Sequence, residues 1–488
     1  MSSILTNQSA MVALQTLKQI NGNLSNTQSQ ISTGMKIASA KDSSSIWAIS
    51  KVMESDVQGF KGISESLSLG ESTVSVARQA SETVTDLLTD IKSKIIAAQE
   101  ENVDRGKIQT DIKALREQIN SVVNAGQFNG LNMLKGTADV NILSSLDRAN
   151  DGSVTASNIT INRQDLTATA GTLGTGTDLS PNATLSAAAA TNTGNAQTVT
   201  IAADADMSDN AITINVGGAT LAYSVGDLSG DQDAAAALIS GAINALGIVG
   251  VTASVATNVV TLTSTRAFED VSLSATGATA SAATIAERAE TLTFSGAANV
   301  AEGDGYQVSV GSNTFTYVAG KAETFEDVAK GLKAAVDGGT ISGLSTQVTQ
   351  NSSNQWVLKV DNDSAASQSL ARAGAAGGSA SGGLFGLDTI DVTTNAGADA
   401  ALSNVETLIS NSIDAAAEFG SAEGRIGIQN DFIGKLTDAL KVGIGTLVDA
   451  DMEAASARLQ ALQVQQQLAT QSLSIANQSP QSILSLFR

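Results

Sequence analysis

The segment "GDLSGDQD", Gly226 to Asp233, sets three carboxylates close together, as calcium-binding loops do. It lacks the alternating spacing and the distal glutamate of a calcium hand, so it reads as a solvated turn. The chain contains no histidine and no cysteine. That inventory removes thiol nucleophiles, serine–histidine pairs, histidine-ligated zinc or haem, zinc-protease motifs and structural disulfides. The composition therefore points away from an enzyme and away from any cofactor or metal. Trp47, Trp356 and Phe60 read as packing residues.

Charge narrows the partners. With 27 basic against 48 acidic residues the net charge is -21, the wrong sign for neutralising phosphates or anionic lipid heads, so nucleic acid is not an expected partner. The opening "MSSILTNQSAMVALQTLKQ" has no basic cluster ahead of an apolar run, so no conventional secretory signal is expected. The stretch nearest to a membrane span, Ala234 to Val251, is rich in alanine and glycine, interrupted by Ser240 and Asn244, and short. No membrane insertion is expected.

Without chemistry to position, the elements themselves carry the argument. From Ile46 to Ala98 an apolar stripe steps by three or four through Ile49, Met53, Val57, Phe60, Ile63, Leu67, Val74, Ala77, Val84, Leu88, Ile91 and Ile95, broken at Gly70 and Ser81. Sustained over roughly seven heptads, it predicts one very long helix. Ile108, Ile112, Leu115, Ile119 and Val122 follow as a second stripe. Before them Leu14, Leu17, Leu24 and Ile31 form a shorter one, ended by Gly34 as a left-handed cap. Near the C-terminus come Leu402, Val405, Ile409, Ile413 and Ala416, then Ile426, Ile433, Leu440 and Leu447. The last stripe is Val448, Met452, Ala455, Leu459, Leu462, Ala469, Leu473 and Ala476, skipping a beat at Gln466.

Between about 140 and 400 the texture changes to Ala, Gly, Ser, Thr, Asp and Asn, with short alternating runs such as "AITINV" and "YQVSV" that predict strands. A repeat is visible. A hairpin, helix, hairpin order around "AAAALISGAI" is echoed around "VAKGLKAAV", pairing Tyr223 with Tyr317 and Leu238 with Leu332, each 94 residues apart. The serines and threonines of this region suit bacterial O-glycans or an ordinary β surface equally. The fold class expected is mainly α at the termini, a long antiparallel coiled coil or helical bundle formed by the N- and C-terminal segments, with a β-rich α+β central insert.

An amphipathic helix gains its stability by burying its stripe. A buried leucine contributes roughly 1.5 to 3 kcal/mol, while ordering a residue's backbone costs about 1 to 2 kcal/mol. The outermost segments carry little more than one large apolar group per turn and are rich in amides, so they are expected to order when identical neighbours supply a second wall. In "ANQSPQSILSLFR", Pro480 is expected to stop the long helix, leaving Ile483, Leu484, Leu486 and Phe487 as a last apolar turn built for burial.

At these residues the sequence resembles bacterial flagellins, of the alphaproteobacterial type with a long insert. The likeness lies in "ISTGMKIASAKDSSSIWAI", at Ser32, Gly34, Ile37, Ser39, Ala40, Lys41, Asp42 and Ile49, in "QFNGLNML" at Gln127 to Leu134, and in "ANQSPQSILSLFR". It spans roughly residues 1–135 and 401–488.

The resemblance implies a secreted structural subunit that polymerises with itself into the extracellular flagellar filament. It implies export unfolded through the flagellar type III channel, an export chaperone at the C-terminal helix, and contact with the flagellar cap and hook–filament junction proteins. Residues 1–42 with 452–488 are expected to form the inner tube, 43–140 with 400–451 the filament core, and 141–399 the surface insert with repeats at about 198–274 and 292–370. Self-assembly is assigned to Leu14, Leu17, Leu24, Ile31, Leu459, Leu462, Leu473, Ile483, Leu484, Leu486 and Phe487. A hook–filament junction protein is the alternative, and an adhesin displayed on the filament a weaker one. Where flagellins recognised by the vertebrate Toll-like flagellin receptor read Gln-Arg-Val-Arg-Glu-Leu-Ala-Val, this chain has Thr89, Asp90, Ile91, Lys92, Ser93, Lys94, Ile95 and Ile96. Asp90 reverses a charge, which implies weak or absent receptor activation.

Overall fold

The terminal stripes become seven-residue-repeat helices and the alternating runs become strands in a computed structural model that describes residues 7–148, 153–204, 206–339 and 341–486, with side chains as far as residue 478 in the last helix. The helices are α1 (Gln8–Thr33), α2 (Ser44–Ala98), α3 (Arg105–Ala125), α4 (Gln232–Ala245), α5 (Phe325–Gly338), α6 (Asn395–Val448) and α7 (Met452–Leu486). Two hairpins follow α3: β1 (Gln127–Phe128) with β2 (Leu131–Asn132), and β3 (Val140–Arg148) with β4 (Val154–Ile161). The insert then runs β5 (Ala183–Leu185), β6 (Ala189–Ala190), β7 (Asn195–Ile201), β8 (Ile212–Val216), β9 (Ala219–Tyr223), β10 (Val251–Ala256), β11 (Val259–Ser264), β12 (Val271–Thr276), β13 (Ala278–Ala280) and β14 (Thr284–Ile285). It ends with β15 (Glu290–Phe294), β16 (Gly305–Val310), β17 (Asn313–Val318), β18 (Leu344–Gln350), β19 (Trp356–Asn362) and β20 (Gln368–Ala375).

The chain divides into two units, one of residues 1–72, 141–161 and 423–488, the other of 73–140 and 162–422. In the first, α2 and α6 run antiparallel: the Ser64 hydroxyl donates to Asn430 Oδ1 at 2.7 Å. Gly70, one break in the long stripe, is where Ile142 of β3 packs, and a Cβ there would come within 2.4 Å of its Cδ1. In the second unit the other break, Ser81, is fully buried. Its carbonyl accepts from the Ser412 hydroxyl at 3.0 Å, and Thr85 donates to that same hydroxyl at 3.0 Å. A polar knot of Ser81, Thr85 and Ser412 thus joins α2 to α6 where the apolar stripe is interrupted.

Along α2 the expected stripe is buried from Ile63 to Ala98, but Ile49 is exposed and Ser50 takes its place. On α6 the buried face is Val405, Leu408, Ser412, Ala415, Phe419, Ala422, Ile426 and Ile433, while Ile413 and Leu447 are exposed. On a helix of 3.6 residues per turn two successive steps of four carry Ile413 past the face, and successive steps of seven fall behind it by about 20° each, which leaves Leu447 off it. The "QFNGLNML" motif is a corner. Asn129 and Gly130 both hold positive φ, as a two-residue hairpin turn requires. The turn sends Met133 and Leu134 into the core, and Asn132 donates to the Val123 carbonyl at the end of α3.

Two cores organise the insert, and each lies among two four-stranded sheets and one helix. The first has strand orders β10-β11-β7-β13 and β14-β12-β8-β9 with α4, the second β18-β19-β15-β5 and β17-β16-β20-β6 with α5. The orders match strand for strand, including the registers Ile212 opposite Tyr223 and Tyr306 opposite Tyr317. The closing strands differ in origin: β13 and β14 follow the first repeat, whereas β5 and β6, which close the second, precede the first. The first repeat is therefore nested within the second.

The hairpin before each helix corresponds at 94 residues, but the helix caps Asp231 and Thr324 are 93 apart. The partner of Leu332 is thus Ile239, both fully buried, and Leu238 faces outward. One extra residue in the loop before α4 accounts for the slip.

Where the chain returns from the first repeat to the second, buried Arg288 forks onto Asp361 through Nε and Nη2, each at 2.8 Å, and reaches Asp363 through Nη1 at 2.8 Å. These carboxylates hold the guanidinium charged, well above its ordinary pKa. Asn195, at the outgoing strand, donates to the Glu287 carbonyl at 2.6 Å and so fastens the two connections together.

Candidate assembly surface

Subunits that polymerise need apolar surface that a single chain leaves uncovered, so the surface is defined by what the terminal helices bury in each other and what they do not. α1 and α7 lie antiparallel. At one end Met35 bridges Asp449, with the Lys36 amide donating to the Val448 carbonyl at 2.6 Å and the Ala450 amide to the Gly34 carbonyl at 2.9 Å. Gly34 ends α1 at φ 71°, its amide capping the Gln30 carbonyl. This left-handed position favours glycine. In the loop that follows, Asp42 accepts from the Ser39 amide and hydroxyl and from the Ala38 amide. The Ser39 amide is the largest cause holding its carboxyl below the usual range.

The inward face of α7 buries Ala455, Leu462 and Ala469 and half-buries Leu459, Gln466, Leu473 and Ala476. The skipped beat at Gln466 has a partner: its Nε2 donates to Asn21 Oδ1 at 2.8 Å. On α1, Thr27 is buried and Leu17, Ile20, Leu24 and Ile31 are half-buried. Leu14, counted on this stripe from the sequence, is 44% exposed and lies off the face.

A second apolar set looks outward. Met11 and Val12 on α1 and Val464, Leu468 and Ile475 on α7 are each between 56% and 69% exposed. Their spacing on α7, four and then seven residues, was a legible second stripe that the stronger first one masked. A groove of about 580 Å³ runs beside this set, walled by Val12, Ala13, Ala469 and Ala476 among others.

α7 continues through Pro480 to Leu486, so the proline does not stop the helix. Proline's fixed φ is already helical, and what it forfeits is one backbone donor. The side chains of Ile483, Leu484 and Leu486, and Phe487 altogether, lie outside the described residues.

The Thr89 to Ile96 segment lies near the C-terminal end of α2, where Ile91 and Ile95 are fully buried core residues. Thr89, Asp90, Ser93 and Ile96 are exposed, while Lys92 pairs with Glu406 and Lys94 with Asp111 at 2.7 Å. In "GDLSGDQD", Asp231 caps α4 by accepting the Ala234 amide, and Asp227 accepts the Ser224 amide. Among the described residues no cluster of acidic side chains is arranged to hold a metal, and no described helix is long and apolar enough to cross a membrane. Trp356 packs beside the second core, and Trp47 and Phe60 are half-buried on α2.

Residues 4–139 match the bacterial flagellin N-terminal helical region, and residues 402–487 the bacterial flagellin C-terminal helical region. Flagellin A of Rhizobium meliloti (strain 1021) is 31% identical over the whole of both chains. Flagellin B of that strain is 32% identical, again over the whole of both. The solved flagellar junction protein FlgL of Legionella pneumophila is a remote likeness, at 10% identity, covering 85% of this chain and 98% of that one, with a TM-score of 0.28. The full-length identity, the two helical-region matches in their proper order and the uncovered terminal helices agree: the chain belongs to the bacterial flagellins, the structural subunits of the extracellular flagellar filament.

Proposed function

We propose that the outward stripe of the terminal pair, Met11, Val12 and Leu14 with Val464, Leu468 and Ile475, is the surface on which neighbouring subunits pack in the filament. The observation that carries this is their exposure on helices that bury so little else. Leu17, Leu24, Ile31, Leu459, Leu462 and Leu473 then act one step back, by holding α1 and α7 together so that the outer stripe has a fixed shape. Ile483, Leu484, Leu486 and Phe487 extend the apolar character of the C-terminal end by sequence alone.

In this reading residues 1–42 with 452–488 form the inner tube, 43–140 with 400–451 the surrounding core, and 141–399 face the medium. The filament ends meet the flagellar cap and the hook–filament junction proteins, and an export chaperone holds the C-terminal helix before secretion. The exposed Asp90 gives weak activation of the vertebrate flagellin receptor. Strong signalling from purified monomer in a reporter cell line contradicts that last point.

Electron microscopy of the purified chain on filament seeds tests the surface, intact and with residues 452–488 removed. Long filaments from the intact chain alone are expected. Growth of the truncated chain at an equal rate removes α7 from the assembly surface.

A further inference from the structure

The carbonyl that Pro480 leaves without a donor is taken by the other end of the chain. In an α-helix the amide of residue 480 serves the carbonyl of residue 476. Proline has no amide hydrogen, so within α7 the Ala476 carbonyl has lost its partner. Asn7 Nδ2 donates to that oxygen at 2.8 Å. The same side chain uses Oδ1 to accept the Ala10 amide at 3.0 Å, capping the start of α1. One amide therefore satisfies an unpaired donor on one helix and an unpaired acceptor on the other, using its oxygen for the first and its nitrogen for the second.

We infer that Asn7 and Pro480 are a matched positioning pair that sets the register of α1 on α7 and, resting on the filament reading, the shape of the surface offered to neighbours. Sliding α1 by one turn, about 5.4 Å, breaks the Asn7–Ala476 contact, while the cap on Ala10 travels with α1. The Met35–Asp449 bridge fixes the pair near its loop end, and Asn21 with Gln466 fixes its middle. Asn7 fixes the free end, where the termini have no covalent tether. Pro480 is then a residue that exposes an acceptor for a distant side chain, in place of a helix stop.

The test is a double-mutant cycle in the full chain: unaltered, Asn7→Ala, Pro480→Ala and both, with Asn7→Asp alone and with Pro480→Ala. The readouts are the critical concentration for growth on seeds and hydrogen exchange of residues 8–16 in the soluble chain. Asn7→Ala is expected to raise the critical concentration about tenfold by losing the cap and stranding the carbonyl. In the Pro480→Ala chain a restored backbone amide takes the Ala476 carbonyl, and the same substitution costs about threefold, the cap alone.

Asn7→Asp keeps the cap but has no donor, so it is expected to be impaired in the native chain and rescued by Pro480→Ala. Equal penalties in both proline backgrounds, or unimpaired Asn7→Asp, overturn the pairing. Failure of the unaltered chain to grow on seeds counts against the filament reading instead, and the exchange cycle still decides the pair: faster exchange of residues 8–16 in Asn7→Asp, reversed by Pro480→Ala, upholds it, and no such reversal overturns it.

Discussion

In the second repeat of the insert, Phe294, Tyr306 and Phe325 meet with ring centroids 5.3 to 5.9 Å apart, all buried. The terminal pair α1 and α7 has no aromatic ring among its described residues and leaves Leu468 and Ile475 more than half exposed. The difference extends to polar groups. The insert buries charged pairs with full partners, such as Lys333 on Asp337 at 2.5 Å and Asn404 at 3.0 Å, while the terminal pair joins its helices through neutral amides. Burying one large side chain contributes about 1.5 to 3 kcal/mol, against about 1 to 2 kcal/mol to order each residue. The repeat therefore buries its large side chains within itself, whereas the terminal pair leaves apolar side chains uncovered in the single chain.

The most damaging test of that contrast is Leu468→Glu. The side chain is 57% exposed, so the single chain tolerates the charge. A neighbour's apolar face does not, because burying an unpaired charge is costly. Seeded growth is expected to fail, with the thermal melting of the insert unchanged. Filaments of normal length place the interface elsewhere.

On the closed side, Arg288→Ala leaves Asp361 buried and unpaired, a loss of about 3 to 5 kcal/mol. Denaturant unfolding is expected to show it in the insert alone, while seeded growth persists. A change below about 1 kcal/mol assigns the pair no more weight than a surface ion pair.

The smallest effect concerns pH. Glu323 accepts the Tyr317 hydroxyl at 2.9 and 3.0 Å, and burial is the main cause that pushes its pKa up to about 7. The folded chain then keeps a proton that the unfolded chain releases near the ordinary glutamate value. Stability contributed by this group is present below that value and is lost as pH rises towards 7. Glu323→Gln is expected to flatten a decline of about 1 to 3 kcal/mol between pH 4.5 and 7. An unaltered slope in thermal melts across that window shows the carboxyl to be hydrated.

The long stripes were legible because a helix repeats its contacts every three or four residues, and Ile63 to Ala98 are buried as that pattern demands. Ile49 and Ile413 were misplaced because small errors of phase accumulate over helices of this length. Gly70 and Ser81 were visible as interruptions, yet their meaning needed Ile142 and Ser412, which are remote in sequence. The nesting of the repeats could not be read. β5 and β6 span three and two residues, too few to show any period, and their partners lie about a hundred residues or more downstream. At the assembly surface the inward stripe concealed the outward one, and the Asn7 contact with Ala476 crosses nearly the whole chain.

The nested arrangement makes the first repeat a detachable cassette. The chain leaves at Asn195 and comes back at Glu287, two residues already within hydrogen-bonding distance, and both closing strands of the second repeat are in place before the excursion begins. A short loop joining the two connections would leave every strand of the second repeat with its partners. The chain can thus gain or lose a whole module without a change to any residue of its long helices.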